Sequence, residues 1–334
     1  MNLLICSAGR RNELLKDIRL SLSKGSRIIA TDISPYAPAL YYADKSYLVP
    51  KITDERYIDT LAEICQKENI NAMITLIDPE IEILAENRCV FEKMGVTVFT
   101  PYLPTAHLCF DKYKMYLHLV RNGINTVRTF GTPEEFFEQF HNGSISFPVF
   151  VKPRTGSGSV GARRIDDISN LKAATAADQS LIIQEYMDGS DLDADVYVDA
   201  ISREVVSIFA KKKLSTTIGG ANKTISFHDD RLVELIKKVA DSLELYGAND
   251  MDFFYRNGQY YLSEINPRFG GAYLHAYGAG IDFIKMMENN VKHTVNTPCF
   301  GNYDDGLVMM MYDSVVIKIQ EELLDEEEDT CYRK

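Results

Sequence analysis

Short apolar runs alternate with helical patterns along the first third of the chain. The predicted strands lie at 2–6, 27–31, 72–76 and 96–99. A first helix is predicted to end at about residue 22, and two further helices cover 54–69 and 78–94. Strands that alternate with helices indicate a parallel sheet with helices packed against it. Residues 1–100 are therefore expected to form one α/β unit.

Helices and strands continue to about residue 293, and no internal repeat is visible. The predicted helices lie at 111–122, 133–141, 229–245 and 281–293, and the predicted strands at 127–131, 147–153, 181–185, 191–201 and 204–213. The stretch 214–226 is polar and contains glycine, which makes it a candidate mobile lid.

The stretch 252–271, DFFYRNGQYYLSEINPRFGG, predicts two strands joined by a turn at Asn257-Gly258. A two-residue loop would place Asp252 opposite Ser263. A three-residue loop would place Asp252 opposite Glu264 instead. We predict the longer loop, with the glycine at positive φ, because it brings the acidic residues onto one face.

Asp252, Glu264 and Asn266 would then share this face. Clustered oxygen ligands suit a hard cation such as Mg²⁺, which usually also binds nucleotide phosphates. Arg268 follows and could face the same phosphates. Acidic residues on an exposed sheet face are, however, often only solvated, so these residues alone do not establish a metal site.

The composition is that of an ordinary soluble protein of 334 residues, long enough for two or three domains. The net charge is −12, and seven acidic residues lie in the tail stretch EELLDEEED at 321–329. The mildly acidic remainder argues against nucleic acid as a partner. No apolar run has membrane-spanning length, no signal peptide is recognisable, and the six cysteines lack CxxC spacing. A cytoplasmic location is expected.

Gly9 lies between the first predicted strand and helix, where dinucleotide-binding proteins carry G-x-G-x-x-G. Only this one glycine is present, so nicotinamide-dependent oxidoreduction is a weak hypothesis. Gly9 is either a tight turn or part of a site in which backbone N–H groups and Arg10 or Arg11 hold a small anion.

Asp78 and Glu80 follow the strand at 72–76, whose carboxyl end should face a cleft. Both could hold a substrate ammonium group. Asp78 as N-cap, with Pro79 in the first helical position, would explain this segment without a ligand.

Lys152 ends a buried strand and is followed by RTGSGSVGARR, which contains Gly156, Gly158 and Gly161. A glycine- and serine-rich turn after a strand can wrap phosphate with its N–H groups, and Lys152 would reach the charge. The GK[ST] ending of a P-loop is missing. Taken alone, the segment is better explained as a flexible loop.

Three stretches in this order, FPVFVKPRTGSGSVGA, IIQEYMDGSDLDADVYVD and YGANDMDFF…YYLSEINPRFGG, resemble the ATP-grasp superfamily, in its carbamoyl-phosphate-synthetase-like and D-aspartate-ligase-like branch. The resemblance covers roughly residues 1–293. It implies an α/β fold in which a Rossmann-like pre-ATP-grasp domain (1–100) precedes two α+β lobes, at 101–187 (with the glycine-rich flap in 148–187) and 188–300. Residues 301–334 form a C-terminal extension.

The resemblance also implies roles for individual residues. The ATP-binding set is Lys112, Lys152, Gly156, Ser157, Gly158, Ser159, Gln184, Glu185, Tyr186 and Met187, with Asp191 or Asp193 at the ribose. The magnesium ligands are Asp252, Glu264 and Asn266, and the cations at the transferring phosphoryl group are Arg268 and Lys211 or Lys213. The usual ribose residue is glutamate, so the shorter aspartate leaves the choice between Asp191 and Asp193 open.

The implied activity is an ATP-dependent ligase that activates a carboxylate as an acyl phosphate and joins it to an amine, with ADP and phosphate released. The implied cofactors are ATP and two Mg²⁺ ions, which Mn²⁺ can replace. Arg10, Arg11 and Arg268 suggest an anionic acceptor group, and Asp78 and Glu80 an amino group, so an amino acid satisfies both. The alternatives are carbamoyl-phosphate-type chemistry and a non-catalytic ATP-binding regulator. Dimers are common in this group, and neither nucleic acid nor a membrane is expected as a partner.

Overall fold

The computed structural model describes residues 1–158, 160–217 and 220–324. Within them the strands form three sheets that follow one another along the chain. Ser159, which was expected in the ATP-binding loop, lies outside the described residues, as does most of the acidic tail.

The first sheet is parallel and has the strand order β3-β2-β1-β4-β5. Its strands are β1 (Asn2–Cys6), β2 (Arg27–Asp32), β3 (Lys45–Leu48), β4 (Ala72–Thr75) and β5 (Thr97–Val98). Its helices are α1 (Asn12–Ser21), α2 (Tyr57–Glu68), α3 (Asp78–Glu86) and α4 (Arg88–Glu92). Apolar clusters cover both faces. The strand order reverses between β1 and β4, so the loops after these two strands flank the crevice in which such sheets bind ligands.

The second sheet is antiparallel, with the strand order β6-β9-β7-β8. Its strands are β6 (Thr129–Phe130), β7 (Val149–Pro153), β8 (Arg163–Ile165) and β9 (Leu181–Glu185). The helices of this part are α5 (Leu103–Phe110), α6 (Lys112–Arg121), α7 (Pro133–His141) and α8 (Ile168–Ala177). Phe136 of α7 and Leu171 of α8 are completely buried against the sheet.

The third sheet is antiparallel, with the strand order β14-β13-β10-β11-β12-β15. Its strands are β10 (Ser190–Val198), β11 (Val205–Thr217), β12 (Gly220–Ser226), β13 (Gly247–Arg256), β14 (Gln259–Asn266) and β15 (Val308–Met310). Its helices are α9 (Asp230–Ser242), α10 (Tyr273–Gly278) and α11 (Phe283–Val291).

The two faces of the third sheet differ in chemistry because residues along a strand alternate. Leu192, Ala194 and Val196 of β10 pack with α9 in an apolar core. Tyr197, on the other face, joins a core shared with the first sheet. The acidic residues of β10 lie on the same face as Tyr197, toward the start of the strand, and this polar part of the face carries the site described below.

The hairpin of β13 and β14 corrects one prediction. Its loop has two residues, Asn257 and Gly258, which both have positive φ as a tight hairpin turn requires. Asp252 nevertheless lies opposite Glu264, because Ser263 forms a bulge in β14. The predicted pairing and the positive φ of the glycine are confirmed, and the predicted three-residue loop is wrong. The bulge allows Leu262 and Ile265, three residues apart, to enter the same core.

Most predicted helices and strands are present, with ends that shift by a few residues. The predicted helix at 78–94 is two helices, α3 and α4. The candidate lid at 214–226 consists, in its described part, of the end of β11 and all of β12, which pair with each other. It is therefore sheet rather than loop. In the part of the chain that the structure covers, no helix is long and apolar enough to cross a membrane.

Candidate active site

A row of charged side chains crosses four adjacent strands of the third sheet. The strand register pairs Lys211 of β11 with Asp193 of β10, Asp193 with Asp252 of β13, and Asp252 with Glu264 of β14. Residues directly opposite each other point to the same face. Three neighbouring carboxylates repel one another, so the row needs cations from other positions.

Two lysines from the second third of the chain meet at Glu264. Lys112 starts α6, whose N-cap Asp111 accepts hydrogen bonds from backbone N–H groups of the first turn. The Lys112 ammonium lies 3.5 Å from Glu264 Oε1, and the buried Lys152, from the end of β7, lies 3.6 Å from Oε2. Although burial opposes it, these two cations hold the pKa of Glu264 below its usual range. Two predicted phosphate-binding lysines and one predicted metal ligand are thus brought together.

Asp252 forms an ion pair with a different lysine, Lys213. The Lys213 ammonium lies 2.5 Å from Asp252 Oδ1 and 2.9 Å from Asp191 Oδ1, so it bridges the two carboxylates. Burial raises the pKa of Asp252 to about 6, against the opposing effect of Lys213. A predicted metal ligand and a predicted ribose ligand therefore share one cation.

A second acidic group lies deeper in the sheet and was only partly anticipated. Carboxylate oxygens of Asp193, Asp195 and Asp250 lie within 4.8 Å of one another. Lys211, which has no exposed surface, forms ion pairs with Asp193 at 3.2 Å and with Asp195. Of these three, only Asp193 was predicted from the sequence as a site residue. Asp195 lies two residues after Asp193 and Asp250 two residues before Asp252, so the strand alternation alone could have assigned both to this face.

The pKa values of two carboxyls in this deeper group shift in opposite directions. Burial, and then the charge of Asp250, raise the pKa of Asp193 well above its usual range. Burial acts in the same sense on Asp250, but Arg268 outweighs it and lowers the pKa of that carboxyl. Because Lys211 is enclosed here, the prediction that it reaches a transferring phosphoryl group does not fit this conformation. Its neighbour Lys213 is the partly accessible lysine of the pair.

Arg268 joins the third sheet to the first. Its Nη1 donates to Asp250 Oδ2 at 3.1 Å, and its Nη2 donates to Asp78 Oδ2 at 3.1 Å. Asp78 was predicted to be the N-cap of α3, but it lies in the first turn, where Ile77 is the N-cap without a side-chain bond. The carboxylate of Asp78 turns toward Arg268 because a partly buried guanidinium requires counter-charges more than the helix requires a cap.

In the loop after β1, the groups that were predicted to hold an anion either have other partners or are exposed. The Gly9 N–H donates to Asp32 Oδ2 at 2.8 Å, so it is already satisfied by a carboxylate. Arg10 is exposed. Arg11 turns toward the third sheet and donates to the carbonyl oxygen of Gly270 at 2.6 Å. Of the two arginines, only Arg11 reaches the neighbourhood of Arg268.

Glu80 does not face a cleft. It has no exposed surface, and its two oxygens accept hydrogen bonds from the hydroxyls of Tyr57 and Thr75. Burial raises the pKa of this carboxyl. Glu80 is therefore enclosed in this conformation, and its role at a substrate amino group stays a prediction.

The segment predicted to hold adenine leaves the end of β9. The amide of Gln184 donates to Thr129 Oγ1 at 2.8 Å and is buried. Glu185 accepts from Arg256 of β13. Tyr186 and Met187 lie between β9 and β10 without regular structure, at the connection between the second and third sheets. Asp191 follows with 42% of its side chain exposed, against 7% for Asp193.

The glycine-rich segment after Lys152 lies over the lysines. Gly156 and Gly158 have φ of 106° and 70°, values that glycine adopts readily. The Lys112 ammonium donates to the carbonyl oxygen of Gly156 at 2.6 Å. Ser157 is exposed. A pocket lies between this loop and β14, with Asp78, Gly156, Glu264 and Asn266 among its lining residues.

The donor set fits a divalent cation bound with a polyphosphate. Asp252 and Glu264 offer carboxylate oxygens from opposite positions on neighbouring strands, and Asn266 follows two residues later with an amide oxygen. Each carboxylate is balanced here by a lysine ammonium, which a metal cation can replace. The same lysines offer the charge that phosphate oxygens require.

The chain matches two known families in succession. Residues 3–99 match the PylC-like N-terminal domain, and residues 109–272 match the ATP-grasp domain. The second match begins just before Lys112 and ends just after Arg268, so it contains all the cations and carboxylates described for the third sheet.

Among similar proteins, a D-alanine–D-alanine ligase of Nitratiruptor sp. is 26% identical over 45% of this chain and 48% of the relative. A carbamoyl phosphate synthase large chain of Clostridium acetobutylicum is 23% identical over 78% of this chain. The chain thus spans about half of the first relative and only 27% of the second.

The fold also resembles a solved structure of N5-carboxyaminoimidazole synthetase from Staphylococcus aureus complexed with ADP. The TM-score is 0.72 at 17% sequence identity, over 90% of this chain and 79% of the other. The resemblance found in the three sequence stretches is therefore confirmed at the level of sequence families and of fold. The chain belongs to the ATP-grasp superfamily and carries a PylC-like domain in front of its ATP-grasp domain.

Proposed function

We propose that this protein is an ATP-dependent ligase that activates a carboxylate as an acyl phosphate and then joins it to an amine, with release of ADP and phosphate. The observation that carries this proposal is the meeting of Lys112 and Lys152 at Glu264, which itself lies opposite Asp252. Paired lysines beside paired carboxylates suit phosphate oxygens bridged by a metal ion.

In this proposal the chain's own residues bind the phosphates, neutralise their charge and enclose them. Lys112 and Lys152 hold the phosphates, and the loop at 155–161 covers them. Asp252, Glu264 and Asn266 hold one or two Mg²⁺ ions, for which Mn²⁺ can substitute; the metal neutralises the phosphate charge. Phosphoryl transfer depends mainly on positioning and charge, so no nucleophilic side chain is needed.

The nucleoside part of ATP would bind where the second and third sheets meet. The backbone of Glu185, Tyr186 and Met187 would pair with the adenine edge, beside Gln184. Asp191 suits the ribose hydroxyls better than Asp193, because its side chain is accessible whereas Asp193 is enclosed with Lys211. We therefore propose Asp191, rather than Asp193, as the ribose ligand.

The remaining cations lie where an acceptor would meet the phosphoryl group. Arg268 and Lys213 would neutralise charge at the reacting centre, and Arg11 and Asp78 lie beside Arg268 at the crevice of the first sheet. Groups of both signs suit an amino-acid-type substrate. The similarity to a protein named D-alanine–D-alanine ligase supports this substrate class. We also propose a cytoplasmic location, with a homodimer as the assembly to be tested first.

Carbamoyl-phosphate-type phosphorylation of bicarbonate or carbamate is the second candidate. It is favoured by the similarity to a carbamoyl phosphate synthase large chain over 78% of this chain. The chain spans only 27% of that relative, however.

The test is phosphate release from Mg-ATP across amino acids and small carboxylic acids, singly and in pairs, and with bicarbonate. Release that requires one carboxylate–amine pair and disappears in Glu264→Ala supports the ligase. Release with bicarbonate and no amino acid supports the second candidate. Nucleotide binding without turnover on any substrate would instead indicate a non-catalytic ATP-binding regulator.

A further inference from the structure

Lys213 occupies a position between two proposed ligand subsites. Its ammonium contacts Asp252, the proposed metal ligand, at 2.5 Å and Asp191, the proposed ribose ligand, at 2.9 Å. Only 14% of its side chain is exposed, so the ammonium has largely exchanged water for these two carboxylates.

A partly buried ammonium needs counter-charges to remain where it is. Two carboxylates hold Lys213 in its bridging position, and either of them alone would hold it less firmly. A ligand that engages Asp191 or Asp252 therefore weakens the hold on Lys213 and makes the other carboxylate easier to occupy. Favourable coupling between two ligands arises when each must displace the same bridging group, because the first ligand then reduces what the second has to displace.

We propose that Lys213 is the internal counter-ion that couples the ribose subsite to the metal subsite, so that the site admits a metal and a nucleoside together in preference to the metal alone. This inference rests on the proposed function, because it takes Asp191 and Asp252 to be the ribose and metal ligands. It adds a role for Lys213 that precedes any contact with the phosphoryl group.

The inference explains why the site carries more lysines than phosphate contacts alone require. Glu264 is balanced by Lys112 of α6 and Lys152 of β7, whereas Asp252 is balanced by a lysine of its own sheet. Once a metal takes Asp252 and a ribose takes Asp191, the Lys213 ammonium is released close to the place proposed for the phosphates.

Adenosine is the sharpest probe, because it carries the ribose but no phosphate that could bind the metal itself. Binding of Mn²⁺ would be measured by the electron paramagnetic resonance signal of free Mn²⁺, with and without adenosine. The proteins would be the full chain, Lys213→Met, Lys213→Gln and the control Lys212→Met. Lys212 is exposed and, being the next residue on the strand, points to the opposite face.

In the unmodified protein, Mn²⁺ alone should bind weakly and adenosine should tighten it. Both Lys213 variants should bind Mn²⁺ alone about tenfold more tightly, the scale of one charged hydrogen bond, and adenosine should no longer change that affinity. Lys212→Met should behave like the unmodified protein. Because Lys213→Met and Lys213→Gln differ in polarity, agreement between them excludes a packing artefact.

Two results would overturn the inference while leaving the proposed function intact. One is unchanged Mn²⁺ affinity in both folded Lys213 variants, and the other is an adenosine effect that survives in them. A separate titration with Mn²⁺ and ADP together tests the proposed function, on which the inference rests. If the unmodified protein fails to bind that complex, the proposed function fails and the inference fails with it.

Discussion

The guanidinium of Arg268 and the carboxylate of Asp78 join parts of the chain that are 190 residues apart. Nη2 donates to Oδ2 at 3.1 Å, and Nε lies 2.9 Å from Oδ1, so the two groups meet side by side. Asp78 begins a helix of the first sheet, and Arg268 follows the last strand of the hairpin in the third sheet. This ion pair thus connects the crevice of the PylC-like domain to the ATP-grasp domain.

Asp78→Asn should destabilise the protein by about 1–3 kcal/mol, because it leaves the partly buried Arg268 with Asp250 as its remaining carboxylate. Urea unfolding at neutral pH measures this change. Asp166→Asn is the matched control, since Asp166 pairs with Arg164 at the surface, and it should change stability by less than about 1 kcal/mol. Equal effects of the two substitutions would show that the Asp78 pair contributes no more than an exposed one.

Glu264→Gln should lower the turnover of ATP by about a hundredfold or more, because it removes the carboxylate on which Lys112 and Lys152 converge. It should also weaken binding of Mn²⁺ with ADP, which a fluorescent nucleotide or calorimetry can measure. The exposed Glu244 provides the control, and Glu244→Gln should leave both quantities unchanged. Normal Mn²⁺–ADP binding in Glu264→Gln would remove Glu264 from the metal site.

Gly270→Ala should destabilise the protein by about 1–3 kcal/mol. A Cβ at this position would lie 2.8 Å from Oδ1 of Asp250 and 3.1 Å from Oδ1 of Asp195, so the acidic group would have to move. The activity should fall as well. Gly278→Ala meets nothing within 4 Å and should be neutral or stabilising by up to about 1 kcal/mol. A tolerated Gly270→Ala would mean that the carboxylates are less tightly placed than described.

His275 should make stability depend on pH in the acidic range. Burial, and then the charge of Lys211, lower the pKa of this imidazole to about 4, whereas an unfolded chain has the ordinary value near 6.5. Between these values the unfolded chain binds the proton more readily, so stability falls as the pH falls. Between pH 7.5 and pH 5 this group should account for a loss of about 2 kcal/mol.

Urea unfolding at the two pH values tests this assignment. His275→Asn should lose correspondingly less stability on acidification than the unmodified protein. His141→Asn, at an exposed position, should retain the full loss. If all three proteins lose the same stability, the pH dependence comes from other groups.

Local patterns in the sequence were sufficient for only some of the site within the third sheet. The alternation along β14 predicted that Glu264 and Asn266 share a face, whereas the pairing of Asp252 with Glu264 was predicted through a three-residue loop and arises instead from a two-residue loop and a bulge at Ser263. Alternation along β11 could not separate Lys211 from Lys213. Both point to this face, and only the surrounding carboxylates determine that Lys211 is enclosed while Lys213 stays accessible.

Contacts between distant segments could not be predicted from such local patterns. Asp78 is explained equally well by a cap or a ligand when only its own helix is considered, and its partner Arg268 is revealed by the fold. Glu80 could be assigned to a cleft because it lies after a strand, but the positions of Tyr57 and Thr75 that enclose it depend on how α2 packs. Roles for nucleotide and metal remain predictions that binding experiments must test.

The bulge at Ser263 has a consequence for how this hairpin can change over evolutionary time. A turn with one more residue and no bulge would give the same pairing of Asp252 with Glu264, so either device serves. What must be kept is that the two carboxylates stay directly opposite each other, and the two-residue turn would also achieve this if Ser263 and its bulge were absent. A single-residue deletion at the bulge should therefore be tolerated in related chains. A single residue gained or lost elsewhere between the two carboxylates, with no change in the turn or the bulge, would mark a chain that has rotated one carboxylate away from the other.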